Sequence, residues 1–369
     1  MFYADIFCNV IDNYGDIGFC WRLSKNLENR YKWKISLWIN NLNAFANIEK
    51  NINTISSKQF VNNISIRYWN DDELFNHNPG NIIINSFSCD LPNFYLKKIK
   101  IFNSLLINLE YLTPELWINK YHLLPSYNNL NIKKYFFFPG FRKKTGGIIR
   151  EPYLSSEREK FQNDIFMKNN FLYKVGFTNE LMNFKNDAKL IFIFCYKHSP
   201  IRSFIQALKY LNKKFIIILS NDNIIEKDYL KNSDKVKFHK LPLINQDSFD
   251  KLLWCSDINF IRGEDSFIRA IWAKRPFIWN IYKQDNNAHI KKLQAWLSLY
   301  MPPQYIYDLT MHWNNYQFHS KIFTNSINKA LSKKNFLLWE KINNDFYIKQ
   351  SNKRDLIDNL VKFCIEKIN

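Results

Sequence analysis

The chain of 369 residues is too long for one ordinary core and suits two domains of roughly 150 to 200 residues each, which its 46% of hydrophobic residues can fill. The net charge of +19 would suggest a nucleic acid or an acidic membrane surface as partner. We discount both, because a chain rich in Lys, Asn, Ile, Phe and Tyr with only 8 Gly is what drift toward AT-rich codons produces.

Short runs of apolar, β-favouring residues alternate with helical or polar segments along the chain. In the first half these runs are residues 4–11, 33–39, 64–69, 82–86 and 104–108. In the second half they are residues 190–196, 215–220, 236–241, 257–261 and 276–279. Strands that alternate with helices predict right-handed crossovers and mainly parallel sheets, and therefore two α/β domains.

Turn-forming and charged residues are concentrated in the segment FPGFRKKTGG at residues 138–147, so the domain junction is expected shortly after it. We predict an N-terminal Rossmann-like domain over residues 1–155, completed by a C-terminal helix over residues 350–369. A second Rossmann-like domain is predicted over residues 172–349.

The segment DNYGDIG at residues 12–18 lies between the first predicted strand and a segment with helical spacing of apolar residues. Because Asp12 and Asp16 are four residues apart around Gly15, both carboxylates can enter one cleft, where one accepts a proton and the other orients a cationic acceptor. Helix capping by Asp16 and an Asx-turn at Asp12 are the structural alternatives, and the sequence leaves both open. The spacing is not that of the G-x-G-x-x-G fingerprint, so no nicotinamide cofactor is expected.

The segment RGEDS at residues 262–266 also stands where a predicted strand ends and a helix begins. A helix N-terminus presents free N–H groups to phosphate, and Arg262 can bind a diphosphate through two parallel hydrogen bonds. Asp265 and Ser266 can add N–H and hydroxyl contacts, while Glu264 can accept sugar hydroxyls or balance Arg262. A surface ion pair is the alternative. The position at a strand-to-helix turn favours function.

Aromatic residues follow predicted strands of the second half at Phe194, Tyr196 and Tyr282. A nucleobase needs a flat apolar partner, so these three are candidates for its binding, although aromatics make up 17% of the chain and a single one is more often core. In the first half, Glu110 and Tyr111 follow a strand and can line the acceptor side, as can residues 122–126.

In open α/β sheets ligands bind beyond the carboxyl ends of the strands, where both acidic segments are predicted to lie. Two such domains facing each other across a cleft would bring a donor held by one to an acceptor held by the other. The predicted fold class is therefore α/β, with the GT-B glycosyltransferase architecture.

The six cysteines are scattered among apolar neighbours without a C-x-x-C pair, which predicts reduced core thiols in a cytoplasmic protein. The histidines include no H-E-x-x-H motif and no close His/Cys cluster, so no metal site is expected. The first ten residues do not resemble a secretory signal, and no apolar run approaches the roughly 20 residues that span a bilayer.

Several strings along the chain resemble one family of enzymes. They are DIFC at residues 5–8, DNYGDIG at 12–18, WRL at 21–23, NLEYL at 108–112, residues 136–147, LLW at 252–254 and RGEDSF at 262–267. These strings are similar to those of the bacterial protein-arginine rhamnosyltransferases that modify translation elongation factor P (EF-P). The likeness covers essentially the whole chain.

The resemblance implies an inverting, metal-independent enzyme that transfers L-rhamnose to the guanidinium of one arginine on the acidic N-terminal domain of EF-P. The donor substrate would be dTDP-β-L-rhamnose, with no cofactor, and the modification would activate EF-P for translation of stalling polyproline stretches. By the same resemblance Asp12, Asp16 and Glu264 fall on essential carboxylates, with Asp16 the candidate general base. The donor-binding residues expected from motif and resemblance are Tyr14, Gly15, Phe194, Tyr196, Arg262, Gly263, Asp265, Ser266 and Tyr282.

The sequence departs from the family pattern at Asn85, where relatives carry an acidic residue, and at Leu243, where they carry an aromatic one. Two other functions stay open from the residues alone. One is a GT-B transferase with another nucleotide sugar or a small-molecule acceptor. The other is a non-catalytic nucleic-acid or ribosome-associated binding protein, whose main support is the net charge of +19.

Overall fold

The computed structural model describes residues 1–11, 14–220 and 230–368. Contacts within the chain divide it into two compact units. The first unit comprises Met1–Glu151 and Ser351–Asn369, and the second comprises Pro152–Gln350. Residues 156–171, which lay between the two predicted domains, therefore belong to the second unit. Residues 152–155 and Gln350, which were predicted to belong to the N-terminal domain and its C-terminal helix, also lie in the second unit.

Each unit is built on one sheet. The strands are β1 (Tyr3–Cys8), β2 (Lys34–Ile39), β3 (Lys58–Val61), β4 (Ile64–Tyr68), β5 (Ile82–Ser86), β6 (Leu105–Leu109), β7 (Pro125–Tyr127), β8 (Lys133–Phe137), β9 (Ala188–Phe194), β10 (Lys214–Leu219), β11 (Val236–Lys240), β12 (Ile258–Arg262) and β13 (Phe277–Asn280). The first sheet has the order β3-β4-β2-β1-β5-β6-β8-β7, and the second has the order β11-β10-β9-β12-β13. All neighbouring strands are parallel except the antiparallel pairs β3–β4 and β7–β8.

Helices connect the strands of both sheets. They are α1 (Gly15–Tyr31), α2 (Leu42–Ala46), α3 (Asp71–Phe75), α4 (Asn93–Ile101), α5 (Ile118–Tyr121), α6 (Leu154–Asn163), α7 (Ile165–Lys174), α8 (Asn179–Lys185), α9 (Ile201–Tyr210), α10 (Gln246–Cys255), α11 (Asp265–Trp272), α12 (Ala288–Tyr300), α13 (Gln304–Trp313), α14 (Ser320–Ala330), α15 (Lys333–Ser351) and α16 (Leu356–Ile368). Among the described residues, no helix is both long and apolar enough to cross a membrane.

Helix α1 forms where the sequence predicts it, and its apolar side packs on the first sheet. Cys20, Leu23 and Leu27, which have the spacing of one helical face, are all fully buried. The helix ends at Lys32, which adopts a left-handed φ of 55° and donates its N–H to the carbonyl of Glu28. Helix α1 therefore begins soon after the carboxyl end of β1 and packs against the same sheet.

The opposite face of the first sheet carries an aromatic core. The rings of Phe7 and Trp38 stack with their centroids 5.8 Å apart, and Tyr95 packs edge-on against Phe7 at 5.4 Å. Leu74 of α3 and Ile99 of α4 complete this cluster. Fully burying an apolar side chain contributes roughly 1.5 to 3 kcal/mol, so this cluster is a main source of stability for the first unit.

Asp5 is a buried charge in this core, with 1% of its surface exposed. One carboxylate oxygen accepts from Trp38 Nε1 at 3.1 Å and lies 2.8 Å from His77 Nε2. The other accepts from the backbone N–H of Gly80 at 2.8 Å and from the hydroxyl of Tyr95 at 3.1 Å. A buried carboxylate surrounded by donors in this way is a structural element of the fold.

Replacing Asp5 by asparagine is expected to lower the free energy of unfolding by about 2 to 4 kcal/mol. Hydrogen bonds to a charged group contribute about 1.5 to 3 kcal/mol, and the new amide nitrogen would face hydrogen-bond donors instead of accepting from them. Urea unfolding at pH 7 measures this loss. Asp90→Asn, at an exposed aspartate of the same unit, should change the stability by less than about 0.5 kcal/mol. Equal midpoints for the two variants would contradict the prediction.

The C-terminal helix α16 packs on the first unit. Arg30 of α1 forms an ion pair with Asp355 at 3.0 Å and also contacts Asp358. The backbone N–H of Leu356 donates to the carbonyl of Ile148 at 3.1 Å. The last turns of the chain are therefore part of the same compact unit as its beginning.

Candidate active site

The strand order of the first sheet reverses at β1, with β2 and β4 on one side and β5 and β6 on the other. Ligands of open α/β sheets bind beyond the carboxyl ends of the strands at such a switch point. The loops after β1, β5 and β6 begin there, and Asp16, Ser88 and Glu110 follow these three strands in the chain. We call this set of loops the first-unit site.

Asp16 is the second residue of α1, and 3% of its surface is exposed. One carboxylate oxygen accepts the backbone N–H of Ile11 at 2.9 Å, and the other lies 3.4 Å from the hydroxyl of Tyr111. The N-cap position is occupied by Tyr14, so the interpretation of Asp16 as the N-cap is wrong. The carboxylate instead binds the loop after β1 and contacts Tyr111.

Two further predicted residues of this segment, Tyr14 and Gly15, stand at the start of α1. Tyr14 precedes the helix, and its hydroxyl accepts from the Asn47 side chain at 3.4 Å. Gly15 is the first residue of α1. Asp12 lies outside the described residues, so its predicted roles in catalysis or in an Asx-turn stay predictions.

The turn after β5 has an unusual backbone. Phe87 and Ser88 both adopt left-handed conformations, with φ of 60° and 55°. A bulky side chain rarely adopts this conformation, and strain of this kind is concentrated at functional sites. The turn places the ring of Phe87 flat against Tyr111, with centroids 4.3 Å apart and an angle of 15° between the planes. The sequence contains no signal for this turn, since neither residue is typical of positive φ.

Glu110 adds a second carboxyl group to the first-unit site. One of its oxygens accepts the hydroxyl of Ser88 at 2.8 Å. Burial raises the pKa of Glu110, while the Ser88 hydrogen bond and the charge of Lys134 act in the opposite direction. A partly desolvated carboxyl group of this kind is suited to binding a cation, because a cation would restore the stabilisation that burial removes.

Asn85 is buried at the end of β5, and its amide nitrogen donates to the carbonyl of Cys89 at 2.9 Å and to Asn108 at 3.3 Å. An ionised acidic residue at this position would face two acceptors. The local hydrogen bonding therefore fits asparagine. The second departure, Leu243, lies 52% exposed in a loop of the second unit.

His122, which the sequence placed among possible acceptor-side residues, has a structural role. Its Nδ1 accepts the backbone N–H of Phe138 at 3.0 Å, and its ring packs against Phe137. Burial lowers the pKa of His122 to about 4. The neutral imidazole is therefore part of the native fold at pH 7.

This depressed pKa predicts a loss of stability in acid. In the unfolded chain His122 binds a proton below a pH of about 6.5, whereas in the native state it does so only near its pKa of about 4. The stability that the neutral imidazole contributes is therefore complete above a pH of about 6.5 and is lost as the pH falls from that value to about 4. We expect a contribution of about 2 to 3 kcal/mol. Urea unfolding of the wild type and of His122→Asn, which keeps an acceptor without titrating, should diverge between pH 7 and pH 4.5. Parallel pH profiles would contradict the assignment.

The second sheet reverses its order between β9 and β12, and the predicted donor-binding residues follow the strands at that point. Arg262 is the last residue of β12. Its guanidinium carbon lies 4.4 Å from the ring centroid of Phe194 and 5.2 Å from that of Tyr196. One guanidinium nitrogen also donates to the carbonyl of Cys195 at 3.5 Å. The loops after β9, β12 and β13 are called the second-unit site.

The turn between β12 and α11 is supported by buried side chains that contact it. Gly263 has a φ of 68°, which a side chain would disfavour, and its carbonyl accepts Trp279 Nε1 at 2.8 Å. Trp279 in turn stacks on Phe267 of α11, with ring centroids 4.1 Å apart. A rigid support of this kind fixes the position of the residues on the turn.

Glu264 occupies the N-cap position of α11, with Asp265 and Ser266 as the first two helical residues. The helix therefore begins within the segment 262–266 that the sequence placed at the strand-to-helix turn. A carboxylate oxygen of Glu264 lies 2.6 Å from Lys292 Nζ of α12, and both side chains are largely buried. Nothing in the sequence pairs these two residues, because they are 28 positions apart.

The structure places Phe194, Tyr196 and Tyr282 close together, at or just after the ends of β9 and β13. Tyr196 packs edge-on against Tyr282 at 5.6 Å, and its backbone N–H donates to the Asn280 side chain at 2.8 Å. Phe194 and Tyr196 each present a ring to Arg262. Tyr282 is 52% exposed, which leaves it the most accessible of the three for stacking. Their role in base binding stays a prediction.

Lys292→Met should remove the cation that holds Glu264 while keeping the length of the side chain. Because truncating Lys292 leaves the partly buried carboxylate of Glu264 without this cation, we expect a fall of roughly tenfold to a hundredfold in kcat/KM. Steady-state transfer kinetics measure it, and Lys291→Met, at the exposed neighbouring lysine, is the matched control. If the two variants have equal kcat/KM, the Lys292 contact has no role in positioning Glu264.

All six cysteines are free thiols, and burial raises the pKa of Cys89 and Cys195 to about 12. This agrees with the prediction of reduced core thiols. Among the described residues no group of three or more His, Cys, Asp and Glu side chains is arranged to hold a metal ion. Asp12 is outside that description.

The fold is shared with solved glycosyltransferases. The structure of TcCGT1 in complex with UDP has a TM-score of 0.57 at 11% identity and covers 100% of this chain and 99% of that chain. MurG from Acinetobacter baumannii has a TM-score of 0.51 at 9% identity and covers 99% of both chains. A structure described as the basis for EarP-mediated arginine glycosylation of EF-P has a TM-score of 0.66 at 23% identity and also covers 99% of both. The fold is therefore that of the GT-B glycosyltransferases, the class predicted from the sequence.

Two sequence comparisons narrow this class to one family. The model of the family "Elongation-Factor P (EF-P) rhamnosyltransferase EarP" matches residues 4–365. The protein-arginine rhamnosyltransferase of Shewanella oneidensis is 37% identical over 320 residues, or 80% of each chain. That of Pseudomonas aeruginosa is 34% identical over 313 residues, or 80% of this chain and 81% of its own. The chain belongs to the EarP family of arginine rhamnosyltransferases and is an enzyme of the glycosyltransferase class, which confirms the resemblance found in its motifs.

Proposed function

We propose that this protein transfers L-rhamnose from dTDP-β-L-rhamnose to the guanidinium of an arginine on EF-P, in the cytoplasm where translation factors act. The observation that carries this proposal is the family match over residues 4–365, because it includes both candidate sites. The related P. aeruginosa and S. oneidensis proteins are named protein-arginine rhamnosyltransferases, and the family description names EF-P.

The chemistry of the acceptor explains why carboxylates are needed. A guanidinium is protonated at neutral pH, with a pKa above about 12, and is therefore a poor nucleophile. Asp16 is our candidate general base. Glu110 offers a second carboxyl group that can hold the positive charge on the nitrogens that do not attack. The first-unit site is thus suited to binding and deprotonating the acceptor arginine.

The proposed transfer is one displacement with inversion. A guanidinium nitrogen forms the bond to the anomeric carbon of rhamnose as the bond from that carbon to the diphosphate oxygen breaks. The proton leaves the attacking nitrogen for Asp16, and dTDP departs with the electron pair of the broken bond. Positioning of the two substrates and stabilisation of the developing charge supply most of the rate acceleration in such a step.

The leaving diphosphate is assigned to the second-unit site. Arg262 supplies a positive charge, and the N-terminus of α11 presents backbone N–H groups at Asp265 and Ser266. These groups can neutralise the departing charge without a divalent cation, which is why we propose a metal-independent reaction. Phe194 and Tyr196 lie against Arg262, and Tyr282 packs on Tyr196, so we assign these three rings to the thymine base.

The net charge of +19 fits an acidic protein acceptor. Complementary charge raises the rate of encounter between proteins and is screened by salt. We therefore propose that EF-P meets the enzyme through its acidic N-terminal domain.

The test is the intact mass of EF-P from the source organism after incubation with this protein and dTDP-L-rhamnose, with chelator present. The expected result is a gain of one deoxyhexose that maps to an arginine. One control is EF-P in which that arginine is replaced by lysine, which should give no product. The other is the Asp16→Asn enzyme, which should give almost none in the time that the wild type needs to modify all EF-P. Donor binding without any gain in mass would reject EF-P as acceptor. Absence of donor binding by the folded protein would reject the proposed donor.

A further inference from the structure

A groove of about 850 Å³ lies at the amino ends of β1, β2 and β4, at the end of the first sheet opposite to Asp16. Its walls include Tyr3, Asp5, Lys34, Lys58, Ser65 and Arg67. At 3.3 Å per residue, the five residue steps from Tyr3 to Cys8 separate it by roughly 16 Å from the carboxyl end of β1. Its volume is within the range of about 300 to 1,000 Å³ typical of small-molecule sites.

The groove follows from an unusual strand pattern. Asp5, Ser36 and Ser65 are neighbours in register on β1, β2 and β4, so their side chains lie on one face of the sheet. Toward the carboxyl end, Phe7 and Trp38 of the same face enter the apolar core. Strands of a parallel sheet that are covered on both faces are normally apolar throughout. The amino half of this face is polar instead, as expected for the wall of a binding site.

Two cations lie opposite each other in this groove. Lys58 of β3 and Arg67 of β4 are paired in the antiparallel register, and like charges directly opposite are unfavourable. The guanidinium of Arg67 lies 5.2 Å from the Trp38 ring, and its buried Nε has no hydrogen-bond acceptor among the described residues. An anion between the two side chains would turn their repulsion into attraction.

A buried hydroxyl beside them is also without a partner. Ser65 is 7% exposed, and its Oγ makes no hydrogen bond to any residue that the structure describes. The carboxylates of the groove are already engaged, since Asp5 accepts the hydrogen bonds given above and Glu28 lies 3.8 Å from Lys32. The groove therefore has donors and positive charge that its own acidic groups do not satisfy.

We propose that this groove is a second binding site, for inorganic phosphate or a small phosphate monoester, with Arg67 as the main anion-binding residue and Lys58 and Ser65 beside it. The planar guanidinium matches the oxygens of a phosphate through parallel hydrogen bonds. The exposed rings of Tyr3 and Phe60 line the groove and offer apolar surface to an attached base or sugar. The proposal is independent of the transfer reaction, because none of these residues belongs to the two candidate sites.

Isothermal titration of the full-length protein with inorganic phosphate, and separately with AMP, tests the proposal. Arg67→Gln and Lys58→Gln should each weaken binding at this site by tenfold or more, whereas Arg67→Lys, which keeps the charge and controls for folding, should weaken it less than Arg67→Gln. Arg262→Ala, in the second unit, should leave it unchanged. Tighter binding of AMP than of phosphate would identify a nucleoside monophosphate as the ligand type, and equal binding would identify free phosphate.

Rhamnosyl transfer by Arg67→Gln supplies a second readout, because its kcat should equal that of the wild type. The proposal is overturned if neither probe binds saturably to the wild-type protein. It is also overturned if binding survives in Arg67→Gln, or if only Arg262→Ala abolishes it, since the ligand would then occupy the second-unit site.

Discussion

Asp16→Asn is expected to lower kcat for arginine rhamnosylation by about 10² to 10⁴-fold, the usual contribution of a positioned general base. The amide keeps the size of the side chain and an oxygen that can accept the N–H of Ile11, but it cannot take the proton from the attacking nitrogen. The affinity for dTDP-rhamnose should stay within a few-fold, because the donor is assigned to the other unit. Rapid-quench or steady-state transfer assays, with donor binding measured separately, check both statements.

Asp5→Asn is the matched control for that experiment. Asp5 and Asp16 are both buried aspartates of the first unit, but Asp5 lies in the amino half of β1, away from the first-unit site. We expect Asp5→Asn to lose stability and keep its turnover per folded molecule, and Asp16→Asn to lose turnover and remain folded. If Asp16→Asn retained more than about a tenth of the wild-type kcat, Asp16 would not be the base.

Arg262→Ala is expected to reduce kcat/KM for the donor by about 10² to 10³-fold, or roughly 3 to 4 kcal/mol. Its guanidinium is the charge that we assign to the diphosphate, and this charge is needed most as the bond to the sugar breaks. Arg262→Lys should recover only part of the loss, because an ammonium lacks the planar pair of donors and packs less well over the rings of Phe194 and Tyr196.

The corresponding measurements are donor titration by calorimetry and initial rates at varied dTDP-rhamnose. Lys321→Ala removes one positive charge from an exposed position of α14 in the same unit and should change neither quantity. A similar small effect for Arg262→Ala and Lys321→Ala would show that Arg262 acts only through the net charge, and would remove it from the donor site.

Most strands of the two sheets could be predicted from the sequence because they are buried apolar runs. The predicted runs at residues 33–39 and 82–86 correspond closely to β2 (Lys34–Ile39) and β5 (Ile82–Ser86). Strands β3, β7 and β8 were missed. Strands β3 and β7 are short, lie at the two edges of the first sheet and contain few apolar residues. Strand β8 begins with two lysines. None of the three therefore has the pattern of a buried strand.

The positions at which strands end were predicted less accurately than the strands themselves. The run at residues 4–11 ends as β1 at Cys8, and the run at residues 190–196 ends as β9 at Phe194. Apolar residues continue past both ends. Val10 and Ile11 follow β1, and Cys195, which follows β9, is buried in the loop that leaves the sheet. At Tyr196 the backbone N–H donates to the Asn280 side chain rather than to a neighbouring strand. Such hydrogen bonds between distant residues have no local signal in the sequence.

The sequence by itself determined the α/β class, the family, and the two segments at residues 12–18 and 262–266, because local patterns of apolar residues, turns and charges carry that information. The tertiary structure decided what each side chain contacts: the Lys292 partner of Glu264, the rings around Arg262, the strained turn at Phe87 and the facing cations Lys58 and Arg67. These contacts join residues far apart in the chain. Their energies depend on burial and register, which exist only after the chain has folded.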